Sequence, residues 1–318
     1  MEYKEFLDYI KSSINQIIGK EKNVKILKVL KTNDIEYDAL TITDSHTNVS
    51  PTIYLNQYYI DYLNKKPLGQ IINEIYGLYE EHSKNIELDI EIFTDFQKAK
   101  KRIAYKVINA GQNENLLKDC PHIRKLDLAL VFYCIIDNDY LGSATSLIHY
   151  NHLDMWGISA EELTGTAIEN APAILKPELR DMNDIIYEML KNDLHKQQIN
   201  GELPIDVPIN EELDRIMKSM KNQSPIEMYV LTNSLKQYGA SCMFYQNVLK
   251  KFSDNYNRDI YILPSSVHEV ILVPVSEDIN IHHLNHMVKE VNRQDVDNCE
   301  ILSDHVYIYK RDKDEIIM

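Results

Sequence analysis

Serine, histidine and glutamate supply the nucleophile, base and orienting acid of hydrolytic chemistry, and one short stretch holds all three. It runs Tyr261-Ile-Leu-Pro-Ser-Ser-Val-His-Glu-Val-Ile-Leu-Val-Pro274, with Ser265, Ser266, His268 and Glu269 between two apolar runs that read as strands. Ser266 and His268 share a strand face there, which brings a hydroxyl near an imidazole, while Glu269 points to the opposite face. No glycine flanks either serine, so the G-x-S-x-G turn of one large hydrolase class is missing. His268-Glu269 is followed by Val-Ile-Leu on a strand, unlike the helical H-E-x-x-H of zinc peptidases. Two readings follow. In one, a hydrolase or metal-dependent enzyme uses Ser265, Ser266, His268 and Glu269 together with a residue such as Glu161, Asp127 or His122 from elsewhere. In the other, Pro264-Ser-Ser bends the chain and His268 satisfies a buried hydrogen bond. The missing spacing favours the second.

Two histidine pairs have metal-ligand spacing. His282 and His286 lie four apart on a predicted helix and share one face, and His149-x-x-His152 sits at a strand-to-helix junction. The first pair has no third ligand at a telling distance, so solvent-facing histidines account for it, and the metal reading of the second pair is equally weak. There is no G-x-x-x-x-G-K-[ST] loop and no G-x-G-x-x-G fingerprint, and no cofactor is expected. Asp137-Asn-Asp139 resembles half a calcium loop but lacks its closing glycine and glutamate, so a hairpin turn is predicted. Trp156 reads as a core anchor.

Composition narrows the partners. Forty-nine acidic residues against 34 basic ones give a formal charge of −15. Nucleic-acid binders draw on neutralised phosphates, and anionic membranes attract basic segments, so both partners are excluded, leaving a protein partner or small ligand. Cysteines 120, 134, 242 and 299 are scattered without C-x-x-C spacing, and Met1-Glu-Tyr-Lys-Glu-Phe is unlike a secretory leader. The longest apolar run, Leu128 to Ile136, is nine residues, short of the ~20 that span a bilayer. A reduced, cytoplasmic location is expected.

The elements that must position these side chains follow from periodicity. Apolar residues at Phe6, Leu7, Ile10, Ile14, Ile17 and Ile18 predict a helix over 3–18. Strands are predicted over 24–30, 35–43 and 51–55, and helices over 56–65 and from Pro67. After an alternating apolar and acidic stretch at 86–93 come a charged helix near 95–102 and strands at 103–109, 126–136 and 144–150. Ser159-Ala-Glu-Glu162 is a capping box opening a helix that Pro172 ends or kinks. Helices at 178–196, 210–221, 240–252 and 281–291 and strands at 228–231, flanking Pro264, and at 304–309 complete the pattern. Without a regular βαβ rhythm, this predicts an α+β fold with mixed, largely antiparallel sheets in two domains, 1–92 and 93–318, the second interrupted by a loop and helix at 200–222.

The chain resembles a family of bacterial proteins, mostly from gut Firmicutes, catalogued only as a domain of unknown function. The matching stretches are Pro51-Thr-Ile-Tyr-Leu-Asn56, Pro121-His122 before Asp127-Leu-Ala, Asn151-His-Leu with Trp156, and Tyr229-Val-Leu-Thr-Asn233 before Gly239-Ala. Leu263-Pro-Ser-Ser-Val-His-Glu269, Asn292 and Leu302-Ser-Asp304 complete them. The middle segment is more distantly similar to YtpQ-like proteins. Neither resemblance implies an activity or a catalytic residue, and the 200–222 stretch looks inserted relative to the family pattern. The expectation is a soluble interaction or regulatory module, with the hydrolase or metal enzyme as its alternative.

Overall fold

The computed structural model describes residues 1–19, 22–43, 51–83, 91–138, 142–202, 204, 208–223 and 226–318. Its elements are α1 (Tyr3–Ile18), β1 (Asn23–Leu30), β2 (Glu36–Thr43), β3 (Thr52–Tyr54), α2 (Asn56–Leu63), α3 (Leu68–Ser83), α4 (Glu91–Thr94), α5 (Phe96–Ala99) and β4 (Ile103–Asn109). There follow α6 (Glu114–Asp119), β5 (His122–Lys125), β6 (Leu128–Asn138), β7 (Gly142–Leu147), α7 (Tyr150–Trp156), α8 (Ala160–Ile174), β8 (Pro177–Asp181), α9 (Met182–Ile199) and α10 (Ile209–Gln223). The chain closes with β9 (Tyr229–Asn233), α11 (Val248–Tyr256), β10 (Ile260–Leu263), β11 (Val270–Pro274), α12 (Ile281–Gln294), β12 (Tyr307–Lys310) and β13 (Glu315–Ile317). Three sheets run β1-β2-β3, β4-β6-β5 with β7 on β6, and β13-β12-β10-β11-β9-β8. The fold is α+β, as the irregular alternation of elements predicts.

Two compact units emerge. The first comprises residues 1–104, 112–122 and 131–167, the second 105–111, 123–130 and 168–318. In the first, the three-and-four spacing of α1 buries Phe6, Ile10 and Ile14 against Val24, Leu40, Ile42 and Ile53 of the β1-β2-β3 sheet. Helix α3 adds Ile71, Ile75 and Tyr79 to the same core. Alternation along the strands sends every second side chain to this face. The 32–34 turn needs left-handed backbone at Asn33 (φ 63°) and Asp34 (φ 50°), residue types that tolerate it. The Asp34 carboxylate then accepts from the Asn115 and Leu116 amides.

In the second unit, antiparallel pairing sets Tyr261 opposite Val273 and Leu263 opposite Ile271. That face packs on Leu284 and Val288 of α12. On the other face, Phe252 of α11 meets Tyr229 with ring centroids 5.2 Å apart. The six-stranded sheet is therefore covered on both sides.

Some elements differ from expectation. Residues 178–181 form strand β8 instead of opening a helix. Pairing with β9 overrides local propensity, and Pro177 occupies the first position of a strand at the sheet's edge. The predicted helix over 240–252 is broken: a 3₁₀ turn at Gly239–Phe244 precedes α11, with Asn247 at φ 63° between them. Helix α8 carries Pro172 within its last turn and continues to Ile174. Short elements α6, β5 and β13 have no equivalent in the sequence reading, and α7 begins at the strand-to-helix junction expected at His149. Most of the 86–93 stretch, Asp139 of the predicted hairpin turn, and parts of the predicted loop at 200–208 lie outside the described residues.

Gly77 lies within α3, and a Cβ there would meet nothing within 4 Å. Gly77→Ala is expected to stabilise the first unit by about 0.5–1 kcal/mol, and Ile75→Ala, at a fully buried site, to cost about 2–5 kcal/mol. Urea unfolding midpoints check both.

Candidate functional site

Residues 264–269 connect β10 to β11 through an irregular path, so their backbone groups have no strand ladder to pair with. Buried N–H and C=O groups must nevertheless find partners. Neighbouring loops and side chains provide them. The Val267 amide donates to the Glu300 carbonyl (2.9 Å), and the Val267 carbonyl accepts from the Ala240 amide (3.4 Å). The His268 carbonyl accepts the Thr232 hydroxyl (2.9 Å), and the His268 amide donates to Ser266 Oγ (3.0 Å). Ser266 is therefore an acceptor within its own turn, and its amide donates to the Glu269 carbonyl (3.2 Å).

Both nitrogens of the His268 ring are engaged. The Tyr238 amide donates to Nδ1 at 3.2 Å. With Nδ1 accepting, a neutral ring carries its proton on Nε2 and donates it to Glu300 Oε1 at 3.3 Å. The Tyr238 ring lies nearly parallel to the imidazole, 15° apart with centroids at 5.5 Å, and Lys106 Nζ stands 4.4 Å from the Tyr238 centroid. Tyr238 holds this position in left-handed backbone (φ 55°). The loop that presents it is clamped by fully buried Asn233, whose Oδ1 accepts from the Leu235 and Gln237 amides while Nδ2 donates to the Gln237 carbonyl.

Close packing accompanies the bonding. A Cβ on Gly239 would lie 2.6 Å from the His268 carbonyl oxygen, 2.7 Å from the Asn233 amide nitrogen and closer still to Thr232 Oγ1. Glycine is required here for lack of space, with no unusual backbone angle involved. Glu269 is half-buried, and burial holds its carboxyl above the usual carboxylate range although His268 and Lys236 pull the other way. Ser265 donates its amide to the Leu263 carbonyl.

The three residues considered as outside partners for His268 are engaged elsewhere. Asp127 accepts the hydroxyls of Ser303 and Tyr307, both at 2.7 Å. His122 Nδ1 bonds the Cys120 carbonyl at 2.9 Å. Glu161 lies in the first turn of α8, where its own backbone amide and Ser159 hold its carboxyl below the usual range. Sequence reasoning singled out Ser266, His268 and Glu269 but missed Thr232, Asn233, Tyr238, Lys106 and Glu300. Thr232-Asn233 followed by Gly239 was the available signal.

The histidine pairs are also placed. His282 and His286 share the exposed face of α12, and His286 Nδ1 stands 3.6 Å from Glu290. At the start of α7, the His149 amide donates to His152 Nδ1 (3.0 Å), and His149 Nδ1 lies 3.4 Å from Cys120 Sγ. Burial, then the neighbouring His149, lowers the His152 pKa. Trp156 packs beside His152 and Phe96. Among the described residues, no group of three or more His, Cys, Asp or Glu side chains is placed to hold a metal. Burial pushes the Cys242 thiol up to about 12.

No helix among the described residues is long and apolar enough to cross a membrane. A family model described as "Family of unknown function (DUF5688)" matches residues 3–311. No curated protein and no solved structure matches the chain.

Gly239→Ala is expected to cost about 1–3 kcal/mol, because backbone atoms on two neighbouring segments must shift. Circular dichroism during urea unfolding measures it. The raised carboxyl of Glu269 means the folded state binds that proton more tightly than the unfolded chain. Ionisation therefore reduces stability as pH rises past the unfolded value of about 4.3. Glu269→Gln should stabilise the protein at pH 7, and the gain should vanish near pH 4. Unfolding midpoints across this range provide the check.

Proposed function

Because the chain belongs to the family matched over residues 3–311, a family of unknown function, we propose that it acts as an interaction or regulatory module. One observation carries the proposal: the imidazole of His268 and the oxygen of Ser266 are engaged in fastening an irregular loop. A serine nucleophile needs its hydroxyl hydrogen-bonded to a base, and here the Tyr238 amide occupies the nitrogen that would accept it. A hydrolase using Ser265, Ser266, His268 and Glu269 is the second reading. The carboxylate of Glu300 beside His268 favours it, since an imidazole oriented by an acid is half of such a site. A metal held by His282 and His286 has only two ligands in support.

Residues 1–92 and 93–318 are proposed as the folding domains, since one apolar core is drawn wholly from residues 6–79. The 200–222 stretch is proposed as an insertion on the resemblance alone. A bacterial, Firmicutes origin and a distant YtpQ-like relationship rest on the same quoted segments. A cytoplasmic location, and partners that are neither nucleic acid nor membrane, rest on the −15 charge.

The test is treatment of the purified protein with a fluorophosphonate probe and with p-nitrophenyl acetate. The expected result is no labelling at Ser265 or Ser266 and no turnover, while His268→Ala lowers the unfolding midpoint. Labelling of either serine that His268→Ala abolishes without unfolding the protein would establish the hydrolase instead.

A further inference from the structure

Helix α12 turns a basic stripe outward on an acidic chain. Leu284, Val288 and Asn292 face inward and are buried. At 100° per residue, His282, His286, Lys289 and Arg293 fall within ~60° of one another on the opposite side. All four are exposed, and with Asn285, Glu290 and Gln294 they line a cleft of about 590 Å³. Lys289 and Arg293 are the fixed cations of its lining among the described residues. Glu290 is the one carboxylate there, and it faces His286.

Lys289 and Arg293 have no ion pair among the described residues. In a chain with 49 acidic side chains against 34 basic ones, nearby carboxylates would ordinarily neutralise such a pair. From His282 to Arg293 the stripe spans eleven residues, ~16 Å along the helix axis, about the length of five residues of extended peptide. An elongated, moderately charged anion fits that row. A nucleic-acid duplex, with one charge per ~1.7 Å, would meet the −15 field of the chain with only two fixed cations to offset it.

We propose that this face of α12 docks an acidic peptide segment of a partner protein, with Lys289 and Arg293 as the charged contacts and His282 and His286 as flanking donors. The proposal deepens the interaction-module reading and rests on it. It names side chains of α12 and not Ser266 or His268, so the acyl-probe experiment and the following one can fail independently.

The probe is a fluorescein-labelled octapeptide of alternating Asp and Glu, followed by fluorescence anisotropy at 50 and 300 mM salt. A chain of this net charge repels such a peptide overall, so any binding reports a local surface. Binding is expected at 50 mM salt, weakened at least tenfold at 300 mM, since exposed charges are screened over ~10 Å at 0.1 M. The double variant Lys289→Glu/Arg293→Glu should weaken it at least tenfold while keeping the wild-type circular dichroism spectrum. Lys191→Glu on α9 should leave it unchanged. The proposal is overturned by absent binding at low salt, by equal binding of a Ser/Gly octapeptide, or by indifference to the double reversal. Preference for a single-stranded oligonucleotide of equal charge would overturn it too. So would a protein dimer that the same reversal dissolves, which would make a second copy the occupant.

Discussion

Backbone hydrogen bonding inside a covered sheet is the constraint on which the second unit depends. Where β10 leaves the ladder and β11 rejoins it, six residues, Pro264 and Val267 among them buried, must cross without a strand partner. A peptide group buried unpaired costs on the order of 1–3 kcal/mol, and several would be lost together. The chain answers with side chains that imitate a backbone: Thr232 supplies a donor to the His268 carbonyl, Ser266 an acceptor for the His268 amide, and the imidazole an acceptor for Tyr238. Residues distant in sequence are drawn together for this reason. Asn233, Gly239 and Glu300 have no common motif, but each is fixed by the same crossing.

The pattern recurs in the loop before β12. Asp127 receives the hydroxyls of Ser303 and Tyr307, Asn109 reaches the Leu302 carbonyl, and Asn292 donates to the Ser303 carbonyl and to Asp304. Burial, more than the nearby Asp127, drives the Tyr307 hydroxyl far above its ordinary pKa, so it serves as a donor. In both loops polar side chains fasten irregular chain. Their cost when removed is the cost of the group left behind.

Periodic elements were legible and aperiodic ones were not. Helix α1 and the hairpin of β1 and β2 follow from residue spacing, because their apolar faces are set within the segment itself. Strand β8 escaped because Glu178, Leu179 and Arg180 suit a helix locally and become a strand only by pairing with β9. The break at Asn247 escaped because one residue in left-handed backbone leaves the apolar spacing on either side intact. In the candidate site, Ser266 and His268 stand out by type in the sequence. Tyr238 and Glu300 were invisible, since a backbone amide and a carboxylate thirty residues away announce nothing in the letters between them.

The one tryptophan among 21 tyrosines has its own consequence. Trp156 belongs to the first unit, with its indole against Phe96 and the His152 ring. Intrinsic emission excited at the red edge therefore monitors only that half of the molecule and is blind to melting of the six-stranded sheet. A protonated imidazole beside an indole quenches it, so acid alone would dim the signal without any loss of structure. Optical traces from this protein must be assigned half by half before they are interpreted as folding.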